Sequence, residues 1–113
     1  MTHPQIEIHS SEQSGTAVLA VSGEVDLATA PALQTALLAM MGRGSPSRVI
    51  VDMVNVTFMD SSGLSALLAA RDAGGEDYDL VLVVAPGMVR RLLDTTAIGT
   101  LFTVYETLDS ALA

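Results

Sequence analysis

The feature that most constrains the fold of this 113-residue chain is a pair of short, nearly continuous apolar runs. They read RVIVDMV (48–54) and DLVLVVA (79–85). Such runs are typical of strands that are covered on both faces, as in parallel sheets. Each run is followed by a segment with apolar residues at helical spacing, so strands and crossover helices alternate along the chain. The sequence therefore predicts an α/β fold.

Further segments complete the predicted order of elements. Ile6 and Ile8 alternate with polar residues, which indicates an edge strand, and a polar turn over 10–15 leads into a second strand over 16–23. A connection this short favours an antiparallel hairpin. LFTVY (101–105) has the composition of a last strand. The resulting order is β-β-α-β-α-β-α-β-α. It predicts one domain over 1–113, with a mixed, mostly parallel five-stranded sheet and about four helices.

Capping residues indicate where the helices begin and end. The segment GEVDLATAP (23–31) is expected to be a loop that ends in a helix start. Ala28 or Thr29 can precede the first turn, and Pro31 fits there because its missing N–H would be unpaired anyway. Gly42 can end this helix. The remaining assignments are a loop over 43–47, a helix ending near 71–75, a third helix opened by Pro86 and a short last helix over 106–113.

The charge balance disfavours nucleic acids and anionic membranes as partners. There are 13 acidic residues against five arginines, which gives a formal net charge of -8. Such a surface repels phosphate groups but suits a basic protein partner. The N-terminus lacks the pattern of a signal peptide, and the apolar stretches are shorter than a membrane span. We therefore expect a soluble, cytoplasmic domain.

The composition also argues against a metal or cofactor site. The chain has no cysteine, and His3 and His9 are not spaced as a metal-binding pair. The sequence contains neither GxxxxGK[ST] nor GxGxxG, the glycine-rich motifs that hold nucleotide phosphates. No cofactor and no metal are therefore expected.

The segment FMDSSG (58–63) stands between the RVIVDMV strand and a helix, and it has three interpretations. Asp60, Ser61 and Ser62 are all good N-cap residues, and Asp60 or Ser61 is the preferred cap. A catalytic serine needs a base, but the histidines lie near the N-terminus and the chain has neither lysine nor GxSxG, so an enzyme is not expected. A phosphoserine is compatible with a helix N-terminus. The residues alone do not decide whether the two serines serve to cap the helix or to accept a phosphate from another protein.

The residues around the two serines are expected to have roles in packing, in access for a partner or in local charge. Phe58 is expected to be a packed anchor that fixes the turn. Gly63 is expected to leave room for the backbone of another protein. Asp60 would repel an added phosphate, so modification would change the local charge sharply.

FMDSSGL, preceded by RVIVDMVNV, resembles the anti-sigma factor antagonists, which are stand-alone members of the STAS domain family. Three further stretches agree with that family in order and spacing: SGEVDLATAP, APGMVRRLLDTTAI and LFTVYETLDSALA. The resemblance therefore covers essentially the whole chain. FMDSSGL in this position, with GEVD upstream, is its most specific part.

The resemblance implies a regulatory protein that is not an enzyme. Members of this kind bind a kinase-like anti-sigma factor and so free a sigma factor. The anti-sigma serine kinase phosphorylates the second serine of DSSG, here Ser62, which releases the antagonist, and a serine phosphatase reverses the modification. The partner-binding surface would comprise Gly23, Glu24, Asp26, Asp60, Ser61, Ser62 and Gly63. The protein is expected to be a monomer or a weak dimer.

Alternatives remain at the sequence level. The chain could instead be a STAS subunit of a transporter or stress-signalling complex, a docking module without a phosphorylation cycle. A weak nucleotidase is a third hypothesis, disfavoured by the missing motifs and base. Asp26 is a candidate for partner contact and equally for shaping the turn before the first helix, and Gly23 and Glu24 carry the same ambiguity.

Overall fold

The computed structural model describes residues 6–42 and 47–113. His3 and residues 43–46 of the predicted loop lie outside the described residues. The elements follow the predicted order, with one short 3-10 helix added before the last strand. They are β1 (Ile6–Gln13), β2 (Thr16–Val25), α1 (Ala30–Met41), β3 (Arg48–Met59), α2 (Ser61–Gly74), β4 (Asp79–Val83), α3 (Met88–Asp94), the 3-10 helix (Ala97–Leu101), β5 (Thr103–Tyr105) and α4 (Leu108–Leu112).

The strands form one five-stranded sheet in the order β1-β2-β3-β4-β5. β1 and β2 are antiparallel, and every other neighbouring pair is parallel. The predicted mixed, mostly parallel sheet is therefore confirmed. Since parallel neighbours are joined by a crossover helix, the carboxyl ends of β2, β3 and β4 lie at one edge, next to the N-termini of α1, α2 and α3.

Two apolar clusters lie on opposite faces of the sheet. The larger one packs α1, α2 and α3 against the sheet and includes the buried side chains of Leu19, Leu33, Leu37, Val51, Leu67, Leu82 and Leu93. The smaller one places Ala111 of α4 against Val18, Ile50, Val81 and Val83. The sheet is thus covered by three helices on one side and by one short helix on the other.

The hairpin is longer than its composition suggests. β1 continues through Gln13, which pairs with Thr16, so the predicted turn over 10–15 is wrong in extent. The turn consists of Ser14 and Gly15, both with positive φ (53° and 74°), as a tight two-residue hairpin requires. Polar residues suffice for an edge strand, because backbone hydrogen bonds to β2 form whichever side chains the strand carries.

β2 and β3 also extend beyond their predicted ends. β2 continues to Val25 and β3 to Met59, so Glu24 and Val25 were wrongly predicted to be loop. β4 ends earlier: its last residue, Val83, pairs with Asp52. The register between β2 and β3 shifts twice, between Ala20 and Ser22 and between Gly23 and Glu24, which is how strands tolerate an extra residue. The two strands therefore project past β4.

The C-terminal part differs from the prediction in its boundaries. α3 begins at Met88, after Gly87 at φ 146°, and not at Pro86. The 3-10 helix takes the place of the start of the predicted last strand, and β5 keeps three residues. Gly99 packs so closely on the backbone of Leu93 that a Cβ would not fit, which fixes this segment against α3. Within the described part of the chain, no helix is long and apolar enough to cross a bilayer.

Candidate functional site

The GEVD and DSSG segments meet where β2 and β3 project beyond the sheet. Glu24 pairs with Phe58 and Val25 with Met59 across the two strands. The N–H of Asp60 donates to the carbonyl oxygen of Val25 at 3.2 Å. Two segments more than thirty residues apart in sequence thus form one edge, termed here the β2–β3 rim and comprising residues 24–29 and 58–62.

Asp60 is the residue that caps α2. Its backbone is extended (φ -115°, ψ -170°), and its Oδ1 accepts the N–H of Ser62 at 2.8 Å. Its carbonyl oxygen accepts the N–H groups of Gly63 and Leu64 at 3.1 and 3.4 Å. The carboxylate therefore supports the first turn of the helix, as the preferred sequence interpretation required. Neither serine is needed for capping.

Ser61 and Ser62 occupy the first two positions of α2 and differ in their surroundings. Ser61 is exposed, whereas Ser62 is half-buried. The backbone N–H of Ser62 is used by the cap, but within residues 6–42 and 47–113 its hydroxyl makes no hydrogen bond. Ser62 lines a shallow groove of about 300 Å³ between α1 and α2, together with Leu27, Ala30, Pro31, Gln34, Ser65 and Ala66. Ser62 is thus accessible and free of competing bonds to the described residues.

Gly63 has an internal packing role. It is buried, and a Cβ at this position would lie 2.6 Å from Cγ of Met59 and 2.9 Å from Cγ1 of Val25. Met59 and Val25 are themselves fully buried. The space beside Gly63 is therefore filled by the chain's own core, and the expectation that it leaves room for a partner backbone is wrong.

Asp26 organises the turn between β2 and α1. Its Oδ1 accepts the N–H groups of Ala28 and Thr29 at 3.0 and 3.1 Å, and its own N–H donates to Oγ1 of Thr29 at 2.9 Å. The Thr29 hydroxyl in turn donates to the carbonyl oxygen of Glu24 at 2.9 Å. Thr29, which is 6% exposed, also precedes the first turn of α1, as expected. Of the two interpretations of Asp26, turn shaping has direct geometric support.

Gly23 and Glu24 lie in the strand that leads into this turn. Gly23 adopts φ 100°, which disfavours any residue with a side chain, and its carbonyl oxygen accepts the hydroxyl of Thr57 at 3.3 Å. The register shift between β2 and β3 falls between Gly23 and Glu24. Gly23 therefore has a backbone reason to be glycine, while Glu24 contributes its carbonyl oxygen to the Asp26–Thr29 turn.

Two apolar side chains on the rim face solvent. Leu27 is 79% exposed, and Phe58 is 38% exposed. The prediction that Phe58 is a packed anchor is wrong, because its neighbour Met59 takes the buried position. Sequence reasoning missed Leu27, since a leucine in an apolar-rich chain gives no sign of exposure until the turn geometry is known.

Among the described residues, the one histidine, His9, lies far from the rim. His9 lies on β1 opposite Ala20, five residues before Val25 on β2. At about 3.3 Å per strand residue it is roughly 16 Å from the end of that strand. Across the described ranges, no group of three or more His, Asp or Glu side chains could hold a metal ion.

Comparison with known proteins connects this geometry to a family. A family model described as "STAS domain" matches residues 7–111. The anti-sigma-F factor antagonist RsfB of Mycobacterium tuberculosis is 30% identical over 107 residues, covering 95% of this chain and 87% of the relative. The anti-sigma-B factor antagonist of Staphylococcus epidermidis is 33% identical over 87 residues, covering 76% of this chain and 80% of the relative.

The fold agrees with the same assignment. The crystal structure of an anti-sigma factor antagonist from Mycobacterium paratuberculosis superimposes with a TM-score of 0.88 at 34% identity, covering 99% of this chain and 96% of that one. The family match spans nearly every described residue, including both segments of the β2–β3 rim. The chain therefore belongs to the STAS domain family.

Proposed function

We propose that this protein is an anti-sigma factor antagonist that acts in the cytoplasm. It binds an anti-sigma factor that is also a serine kinase and so frees a sigma factor for transcription. Phosphorylation of Ser62 by that kinase ends the binding, and a serine phosphatase restores it. The observation that carries the proposal is the Ser62 hydroxyl, which is unbonded among the described residues on an accessible rim. The relatives at 30–34% identity bear the corresponding name.

The chain acts as the substrate of the phosphoryl transfer and supplies no catalytic group. The kinase provides ATP, metal ion and base, which is why Ser62 needs no base of its own. Asp60 accepts the N–H of Ser62 and so holds the backbone of the residue that carries the acceptor hydroxyl. The acidic chain, with a formal net charge of -8, suits a basic docking face and speeds association at low salt.

The phosphate acts at the interface. Phosphoserine carries about 1.5–2 negative charges, and the N-terminal N–H groups of α2 accommodate it without unfolding the helix. The same charge lies close to Asp60 and would face the kinase surface, where desolvation and repulsion oppose binding. A 100-fold loss of affinity requires only about 2.7 kcal/mol. One displaced contact together with charge repulsion is sufficient for a loss of that size.

The modification site is tested with the anti-sigma kinases encoded in the same genome. Each is purified and incubated with the protein and ATP, and the phosphate is located by mass spectrometry. We expect phosphate on Ser62, none on Ser62→Ala, and normal modification of Ser61→Ala, the matched control. Phosphate at another residue, or unchanged modification of Ser62→Ala, would refute the site.

The switch is tested separately by calorimetry with the same kinase in its ADP form. Ser62→Asp is expected to bind about 100-fold more weakly than the unmodified protein. Equal affinity would argue against a charge-based switch. Binding to an ATPase subunit of a transporter, with no kinase bound, would favour the alternative role as a docking module without a phosphorylation cycle.

A further inference from the structure

Leu27 is exposed in a turn whose neighbouring residues are held by hydrogen bonds. With 79% of its surface exposed, it is the most exposed large apolar residue in the described part of the chain. The residues on either side of it are fixed: Asp26 Oδ1 accepts the N–H groups of Ala28 and Thr29 at 3.0 and 3.1 Å. A side chain presented by a preorganised turn loses little further conformational freedom on binding. The turn thus holds a leucine ready for contact.

The leucine adjoins an apolar groove. Leu27 forms one wall of the groove of about 300 Å³ between α1 and α2, together with Ala30, Pro31 and Ala66. Ser62 lies in the same lining. Single surface leucines are common and need no explanation, but a leucine continuous with a groove at the proposed modification site forms part of a larger contact surface.

Acidic residues accompany this apolar surface. Glu24, Asp26 and Asp60 all belong to the same rim, and the chain as a whole carries a formal net charge of -8. Charge complementarity therefore selects a partner whose apolar contact area is bordered by basic side chains. A side chain that is fully desolvated on binding and is ringed by contacts that exclude water has the arrangement of a binding hot spot.

We propose that Leu27 is the apolar anchor of the docking surface and determines which anti-sigma kinase this protein binds. The anchor enters an apolar pocket on the kinase that is bordered by basic residues, and the kinase covers the groove beside Ser62. A phosphate on Ser62 places a dianion in the lining of that groove, so that covering it requires desolvation of the charge. This inference rests on the proposed function and adds to it the residue that confers specificity.

The experiment compares single variants in binding to the kinase that modifies the wild-type protein. Leu27→Ala is expected to bind about 20-fold more weakly, equivalent to about 1.8 kcal/mol, because most of the contact area of a leucine is lost. Leu27→Met should stay within about threefold of wild type, since its volume and polarity are similar. The matched control is Leu101→Ala: Leu101 is 45% exposed and precedes β5, at the opposite edge of the sheet from the rim.

The phosphorylation kinetics give a second readout. Leu27 contacts no reacting atom, so Leu27→Ala should raise KM about as much as it weakens binding and leave kcat unchanged. Urea unfolding of Leu27→Ala should match wild type, which separates an effect on binding from an effect on folding.

The failures of the two proposals are distinguishable. If wild type binds a kinase and Leu27→Ala binds within twofold of it, the anchor is refuted and the proposed function stands. A fall in kcat with unchanged KM would also refute the anchor. If wild type dimerises in sedimentation and Leu27→Ala does not, with kinase binding unchanged, the surface belongs to a second copy of the chain. If wild type binds no anti-sigma kinase, the proposed function itself fails.

Discussion

Asp60 and Ser62 lie two residues apart at the N-terminus of α2, and their side chains differ in their hydrogen bonds. The Asp60 side chain is engaged with the N–H of Ser62 at 2.8 Å, whereas the Ser62 side chain makes no hydrogen bond to the described residues. The helix therefore does not depend on the Ser62 hydroxyl for its stability. A modification of that hydroxyl can change the surface without changing the fold beneath it.

Replacing Asp60 with alanine should destabilise the protein by about 1 kcal/mol, because the first turn of α2 loses its side-chain cap. Asp60→Asn should recover most of this loss, since an amide oxygen can still accept the N–H of Ser62. The free energy of unfolding is measured in urea. Asp72→Ala is the control: Asp72, near the other end of α2, has a side chain 67% exposed and forms only a surface ion pair with Arg71. A loss no larger than that of the control would contradict the capping role.

Gly63 shows what is missed when a sequence is interpreted one residue at a time. A glycine here predicts room for a partner backbone, but the space that a Cβ would take is filled by Met59 and Val25 inside the core. These three positions are brought together by the end of β2, the end of β3 and the start of α2. No local pattern around Gly63 contains that information, since Val25 is distant in sequence.

At the scale of elements, the turn between β2 and α1 is a closed hydrogen-bonded unit. Asp26 and Thr29 bond to each other's backbone or side-chain groups, and Thr29 is almost completely buried. Each partner holds the other in place, and the turn fixes the exposed position of Leu27. The stability of the turn and the presentation of the leucine therefore depend on the same bonds.

A double-mutant cycle tests this unit. Asp26→Ala and Thr29→Val should each destabilise the protein by about 1–2 kcal/mol, since each leaves buried or half-buried polar groups unpaired. Together they should lose at least about 0.5 kcal/mol less than the sum, because both remove the same bonds. Glu24→Gln keeps the backbone carbonyl that Thr29 uses and should stay within about 0.5 kcal/mol of wild type. Strict additivity of the two losses would show that the turn is not a unit.

Among the elements, the ends of β2 and β3 were predicted least accurately, because both strands extend further than their sequence patterns indicate. The strand signal of β3 fades after residue 54, where Asn55, Thr57 and Phe58 are exposed. Backbone pairing with β2 nevertheless continues to Met59 through two register shifts. This pairing forms the rim, because it brings Val25 next to Asp60.

At the scale of the whole molecule, the two faces of the sheet are covered by different numbers of helices. Three helices enclose the larger cluster, and the smaller cluster depends on α4, whose Ala111 is fully buried against Val18, Ile50, Val81 and Val83. A five-residue helix with little intrinsic stability is held in place by this packing. Its cap, in which Thr107 Oγ1 accepts the N–H of Ser110 at 3.1 Å, supports the first turn.

Ala111→Asp should destabilise the protein by about 3 kcal/mol or more, because it buries a carboxylate without a partner under α4. Ala113→Asp, two residues later and exposed, is the matched control and should cost less than about 0.5 kcal/mol. Unfolding in urea gives both values. Equal effects of the two substitutions would show that α4 does not close this face in solution.

The sequence by itself determined the fold class, the order of the elements and the family. These depend on local signals: apolar runs such as 48–54 and 79–85, helical spacing after each run, and the FMDSSGL motif. Capping residues near Ser62 also predicted that it lies at the start of a helix. The structure agrees, and Asp60 is the cap.

Only the tertiary structure decided which side chains of the rim face solvent and which face the core. On the rim, Leu27 and Phe58 are exposed and Met59 is buried, and Gly63, which follows the rim, is buried as well. The physical reason is that exposure depends on neighbours from other elements: Gly63 is enclosed by Val25 across the β2–β3 pairing, and the Asp26–Thr29 turn directs Leu27 away from the core. A chain's own periodicity specifies its elements, but contacts between elements distant in sequence determine the surface that a partner meets.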